Sequence, residues 1–198
     1  MSRLHPPTLI TAITYGDGLR ITPVIDRIAT HLATEGFRLA GLIQREVERA
    51  GRSRCDMLLE ELSTGETMAI SQDRGEGARG CRLDVEALLN AVARTRSALA
   101  SKPDLVVVNK FGKTECDGGG CRSLIIEAIE HNVPVLVAVP WGNLESWRCF
   151  VGDLAAEHRL DDMPQDGANL CRHLGLVCRD DTALPFSKAL NLLKVAAG

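Results

Sequence analysis

The apolar run Leu105-Val106-Val107-Val108, set between Pro103-Asp104 and Asn109, constrains the fold more than any other part of the chain. Continuous branched apolar residues do not suit a strand with one wet face; they suit a parallel strand covered on both faces. A second such run, Val135-Leu136-Val137-Ala138-Val139, follows a glycine-rich loop to Gly120 and a helical stretch through His131. The pattern predicts two central strands, side by side and parallel, joined by a right-handed crossover.

The rest of the chain extends this alternation. Leu9-Ile10-Thr11-Ala12-Ile13-Thr14 reads as a strand ending at the turn-forming Tyr15-Gly16-Asp17-Gly18. Apolar residues then recur at helical spacing from Ile21 to Leu32, with Pro23 in the first turn and Gly36 as a stop. Residues 39–44 read as another buried strand, and residues 56–62 with 67–70 as a hairpin around Ser63-Thr64-Gly65-Glu66. Asp84 is placed to cap a helix reaching about residue 100. Past Pro140 the pattern predicts a helix over 143–159, a linker over 161–167 and helical pieces in the tail. The expected architecture is α/β: three layers around a mainly parallel sheet, with an inserted β-hairpin. Residues 1–160 are expected to form this domain, with 161–198 a helical tail packed on it.

Charge excludes some partners. The 26 acidic and 23 basic residues leave a formal charge of -3 with no long block of either sign, so neither nucleic acid nor a membrane surface is an expected partner. No window approaches the ~20 apolar residues of a membrane helix, and residues 1–7 do not read as a leader; the expected location is the cytoplasm. Seven cysteines without CxxC spacing are expected to stay reduced. Cys116 and Cys121 have an undistinguished spacing for zinc, and Cys149 is expected to pack with Trp147 and Phe150. The histidines are scattered, so no catalytic residue and no metal ligand is assigned.

Three segments carry anion chemistry. The turn after the first strand, with Gly16, Gly18, Arg20 and Thr22, stands where P-loop proteins cradle phosphates with backbone N–H groups, a lysine and a hydroxyl. The lysine is absent, and Asp17 would repel phosphate. The segment Ser71 to Arg82 offers Gly75, Gly77 and Gly80 for a backbone nest and Arg74, Arg79 and Arg82 for charge. Lys110 and Lys113 follow the central strand, the end at which open α/β sheets hold ligands. Gly118-Gly119-Gly120-Cys121, at a helix entry, is a further place where amides can face an anion.

Gly41 to Arg52, together with the hairpin ending Leu62-Ser63-Thr64-Gly65, resembles the corresponding segment of THEP-type nucleoside triphosphatases, which have the P-loop NTPase fold. In that family the strand matching 105–108 ends in an acidic pair followed by Ile-Gly-Lys-Met-Glu; here Asn109-Lys110-Phe111-Gly112-Lys113-Thr114-Glu115 takes its place. The chain is still more similar to a bacterial family of unknown function in the same NTPase-like group, often associated with molybdate transport genes. Asn-Lys-Phe-Gly-Lys, Ile70 to Gly75 and Arg79 to Leu83 carry that likeness, and the resemblance covers roughly residues 9 to 155.

The resemblance implies a nucleotide- or oxyanion-binding protein, with nucleotide or molybdate as the bound group and a role in molybdenum handling. Asn109 and Lys110 remove two negative charges from the place where such folds hold magnesium, so efficient hydrolysis is not expected. Two further readings stay open. One is an active triphosphatase using Lys110 or Arg20 in place of the missing lysine; the other is an assembly protein with a vestigial pocket. The expected partner is a small anionic ligand, with a homo-oligomer also open.

Overall fold

The computed structural model describes residues 8–47, 56–71 and 83–176. Its centre is a sheet in which β1 (Ile10–Tyr15), β2 (Leu39–Val47), β3 (Asp56–Glu61), β4 (Thr67–Ala69), β5 (Leu105–Val108), β6 (Val135–Pro140) and β7 (Ala155–Arg159) lie in the order β4-β3-β2-β5-β6-β1-β7. Pairing is parallel from β2 to β7 and antiparallel in the β2-β3-β4 hairpin segment. The two valine-rich runs are neighbours, as expected, with Val106 opposite Val135 and Val108 opposite Val137.

Among the described residues six helices flank the sheet: α1 (Thr22–Thr34), α2 (Val85–Ala98), the short α3 (Lys113–Cys116), α4 (Arg122–Glu130), α5 (Leu144–Val151) and α6 (Gly167–His173). Alternating residues of each central strand serve different cores. Leu105 and Val107 join Ile13, Leu136 and Ala138 beneath α1 and α6, while Val106 and Val108 join Ala12, Val135 and Val137 beneath α2, α4 and α5. This division explains why β5 has no polar position: none of its four residues is more than 1% exposed. Each such side chain contributes about 1.5–3 kcal/mol by burial.

Local chemistry sets the element ends. Asp84 caps α2 as expected, its carboxylate accepting the Ala87 N–H at 3.0 Å. Gly41 in β2 has φ +122°, and a β-carbon there would lie 2.1 Å from the Val107 carbonyl oxygen, so only glycine permits β2 to approach β5. The hairpin turn is organised by buried Glu61, which accepts N–H and O–H donors from both Ser63 and Thr64.

The expected helix over 143–159 is corrected. Gly152, at φ +55°, stops α5, and a 3-10 turn leads into β7, which pairs with β1. Ala155-Ala156-Glu157-His158-Arg159 has helix-forming composition, and the free edge of β1 overrides it. Cys149 is also corrected: it is exposed, whereas Trp147 and Phe150 are buried. The expected boundary near residue 160 falls in a 3-10 turn, Leu160–Asp162. Beyond it Met163, Leu170, Cys171, Leu174 and Leu176 enter the α1-side core. No helix of the described residues is long and apolar enough to cross a membrane.

Candidate functional site

The connection leaving β1 runs through α1 on one face of the sheet, and the connection leaving β6 runs through α5 on the other. Because β1 and β6 are neighbours, their loops part at the carboxyl edge and leave the crevice in which open α/β sheets hold ligands.

The β1 loop is a tight turn. Leu19 N–H donates to Gly16 O at 3.3 Å, and Gly18 takes φ +82° in the position that demands it. The segment from Gly16 to Thr22 is shorter than Gly-x-x-x-x-Gly-Lys-Ser/Thr, and its Leu19 amide is already used internally. Asp17, Gly18, Leu19 and Arg20 are exposed, and Thr22 opens α1. No carboxylate stands in the first turn of α1, and its N-cap residue, Ile21, makes no side-chain capping bond, so the positive end is not offset within that turn.

Asn109, just past β5, reaches across to this turn: its Nδ2 lies 3.5 Å from Thr22 Oγ1. Asn109 is buried, and its Oδ1 has no hydrogen-bond partner among the described residues. The pair offers one amide oxygen and one hydroxyl, without a carboxylate, a donor set that does not fit magnesium. Lys110 and Lys113 are exposed and make no ion pair with another described residue, and the same holds for Arg20. The structure thus brings Gly16, Gly18, Arg20, Lys110 and Lys113 to loops at one edge of the sheet. Arg74, Gly75, Gly77, Arg79, Gly80 and Arg82 lie outside the described residues.

The loop after β5 is held by Glu115. Its carboxylate accepts the Gly112 N–H at 2.7 Å and the Cys121 N–H at 2.8 Å, with the side chain buried. The entry to α4 therefore already faces an anion, and that anion belongs to the protein. This corrects the expectation that Gly118 to Cys121 present amides to a ligand. Gly120, at φ +58°, is required there because a β-carbon would fall 1.9 Å from Glu115 Oε1. Gly112-x-x-Glu115 is a readable capping pattern, and it identifies the carboxylate as structural.

Trp141 was not singled out by sequence reasoning. It leaves β6 in a 3-10 turn, is 46% exposed, and lies against the β1 turn: a β-carbon on Gly16 would be 3.1 Å from both Cε3 and Cζ3 of the indole. Arg159, at the end of β7, places its guanidinium carbon 5.2 Å from the ring centroid. Asn143 fastens the same turn to the β5 loop by donating to Phe111 O at 2.7 Å. An exposed tryptophan after a strand has no distinguishing sequence signal, and Arg159 was hidden inside the expected helix.

Other reactive groups are removed from service by burial. Tyr15 has its phenol pushed up to about 12 by desolvation. Burial, with Glu115 alongside, raises the Cys121 thiol well above its ordinary value, and burial pushes Cys171 up to about 12. Among the described residues no cluster of three or more histidine, cysteine or acidic side chains is placed to hold a metal. A groove of about 470 Å³ between α1 and β2 contains Arg45, Asp26 and Glu60, but these charges already pair with one another.

The fold and this edge define a P-loop NTPase-like α/β protein. The chain belongs to the family described as protein of unknown function (DUF2478), whose model matches residues 10–164. It is 34% identical over 148 residues to a protein named Molybdenum import ATP-binding protein ModC 2 from Bradyrhizobium diazoefficiens. That match covers 75% of this chain and 16% of the relative, so the chain spans a small part of that protein's length. It is 31% identical over 135 residues to Nucleoside-triphosphatase THEP1 from Methanosarcina acetivorans, covering 65% of this chain and 74% of the relative. No solved structure gives a significant match.

Proposed function

We propose that this protein binds a nucleotide or a related oxyanion at the carboxyl edge of β1, β6 and β5, without efficient magnesium-dependent hydrolysis, and serves molybdenum handling in the cytoplasm. The observation that carries this reading is the Asn109–Thr22 contact. It keeps the turn and the strand end together, with neutral groups where a metal-dependent triphosphatase needs a carboxylate. Arg20, Lys110 and Lys113, which pair with no described acid, supply positive charge around the crevice, and the segment with Arg74, Arg79 and Arg82 is the expected source of more. The names of the two relatives support nucleotide as the ligand class, and the first supports the molybdenum context.

The second reading, an active triphosphatase with altered site chemistry, is favoured by the name of the second relative. A thermal-shift panel of ATP, GTP, phosphate, sulfate, molybdate and tungstate, paired with phosphate-release assays with and without magnesium, separates the two. A melting shift without turnover supports the binder. Sustained magnesium-dependent turnover, lost on Lys110→Ala or Arg20→Ala, supports the enzyme.

A further inference from the structure

We infer that Trp141 is a stacking platform for the planar base of the bound ligand, so that the site takes a nucleoside triphosphate in preference to a bare oxyanion; this rests on the nucleotide reading above. The indole spans three strand ends: it leaves β6, rests on Gly16 after β1 and meets Arg159 at the end of β7. This is the place where the β1 and β6 connections part to opposite faces. A ring lying against the indole would therefore have its phosphates beside the turn.

Three features set Trp141 apart from an incidental surface tryptophan. Gly16 leaves room for the indole to lie against the backbone. Its turn is fastened to the β5 loop by Asn143, so the ring is held in place before a ligand arrives. Arg159 places a flat cation over the indole, a second planar face at the same spot, and its side chain also reaches Asp161 at 3.4 Å. Stacking on aromatic and guanidinium faces tolerates any planar base, because every base has a π face. The other tryptophan, Trp147, is fully buried beside Phe111 and Phe150 and has no such access.

Titration calorimetry with ATP and with inorganic triphosphate tests this on the full chain. Wild-type protein is expected to bind ATP roughly tenfold more tightly than triphosphate. Trp141→Ala should erase that advantage with triphosphate affinity unchanged, and Trp141→Phe should restore most of it. ATP should also quench tryptophan emission in the wild type and leave the Trp141→Phe variant, which keeps only Trp147, unquenched. Equal affinity of wild-type protein for ATP and triphosphate overturns the stacking role and leaves anion binding standing, as does an ATP advantage that survives in Trp141→Ala. Failure of wild-type protein to bind either compound overturns the nucleotide reading together with this inference.

Discussion

Asn109 Nδ2 approaches Thr22 Oγ1 at 3.5 Å, joining the end of a central strand to the first residue of α1 across the intervening strand β6. A neutral amide at this point removes the electrostatic reason for a divalent cation to reside there. The ATP-induced rise in melting temperature should therefore be the same in magnesium and in EDTA. Asn109→Asp puts a carboxylate against the hydroxyl and should make the rise magnesium-dependent. A wild-type shift that disappears in EDTA contradicts this account.

Glu115 and Gly120 form a lock on the loop that carries Lys110 and Lys113. Gly120→Ala imposes a left-handed backbone on alanine and drives a methyl into the carboxylate, and should cost about 1–3 kcal/mol in urea unfolding. Glu115→Ala leaves the Gly112 and Cys121 N–H groups bare, at roughly 1–3 kcal/mol for the buried Cys121 donor and less for the half-buried Gly112 donor. Both variants should also weaken ligand binding. Unchanged stability in both would mean that the loop is held by other contacts.

Thiol chemistry should divide the described cysteines. Cys149 is exposed, whereas Cys121 and Cys171 are buried with thiols displaced upward. Iodoacetamide on native protein, read by peptide mass, should label Cys149 readily and leave Cys121 and Cys171 unlabelled until urea unfolds the chain. Early labelling of Cys121 would show that the α4 entry opens in the native state.

His158 couples the β7–α6 contact to acidity. Burial lowers its pKa below the ordinary 6.5, and His173, 5.4 Å away between ring centroids, lowers it further. The unfolded chain then binds the proton more readily than the native chain. The stability that follows is present above pH 6.5 and is lost as pH falls from there toward the lowered native value. Melting temperature should decline over that window in wild-type protein and decline less in His158→Gln. Identical pH profiles would show that this imidazole does not titrate on unfolding.

The central sheet was legible because β5 and β6 bury both faces, and that demand leaves a continuous apolar run that no helix cap interrupts. The hairpin and α2 were legible from Ser63-Thr64-Gly65 and Asp84, whose side chains act on their own neighbours. β7 was not. Its five residues are held by pairing with β1, a contact between positions far apart in sequence that leaves no periodicity in Ala155-Ala156-Glu157-His158-Arg159. The site was half legible for the same reason. Glycines and lysines announce a loop's chemistry, whereas the meeting of Trp141 with Gly16 and Arg159 exists only once three strand ends are adjacent.

The two outer strands of the described sheet bear on how the protein behaves when concentrated. On one side β4 is only 3 residues long. On the other, β7 carries Glu157, paired with Arg148 from α5, and ends at Arg159. A short strand and a charged one both make poor templates for a passing chain seeking backbone partners. The apolar strands that would propagate cross-β stacking lie between them, out of reach of another molecule until the fold opens.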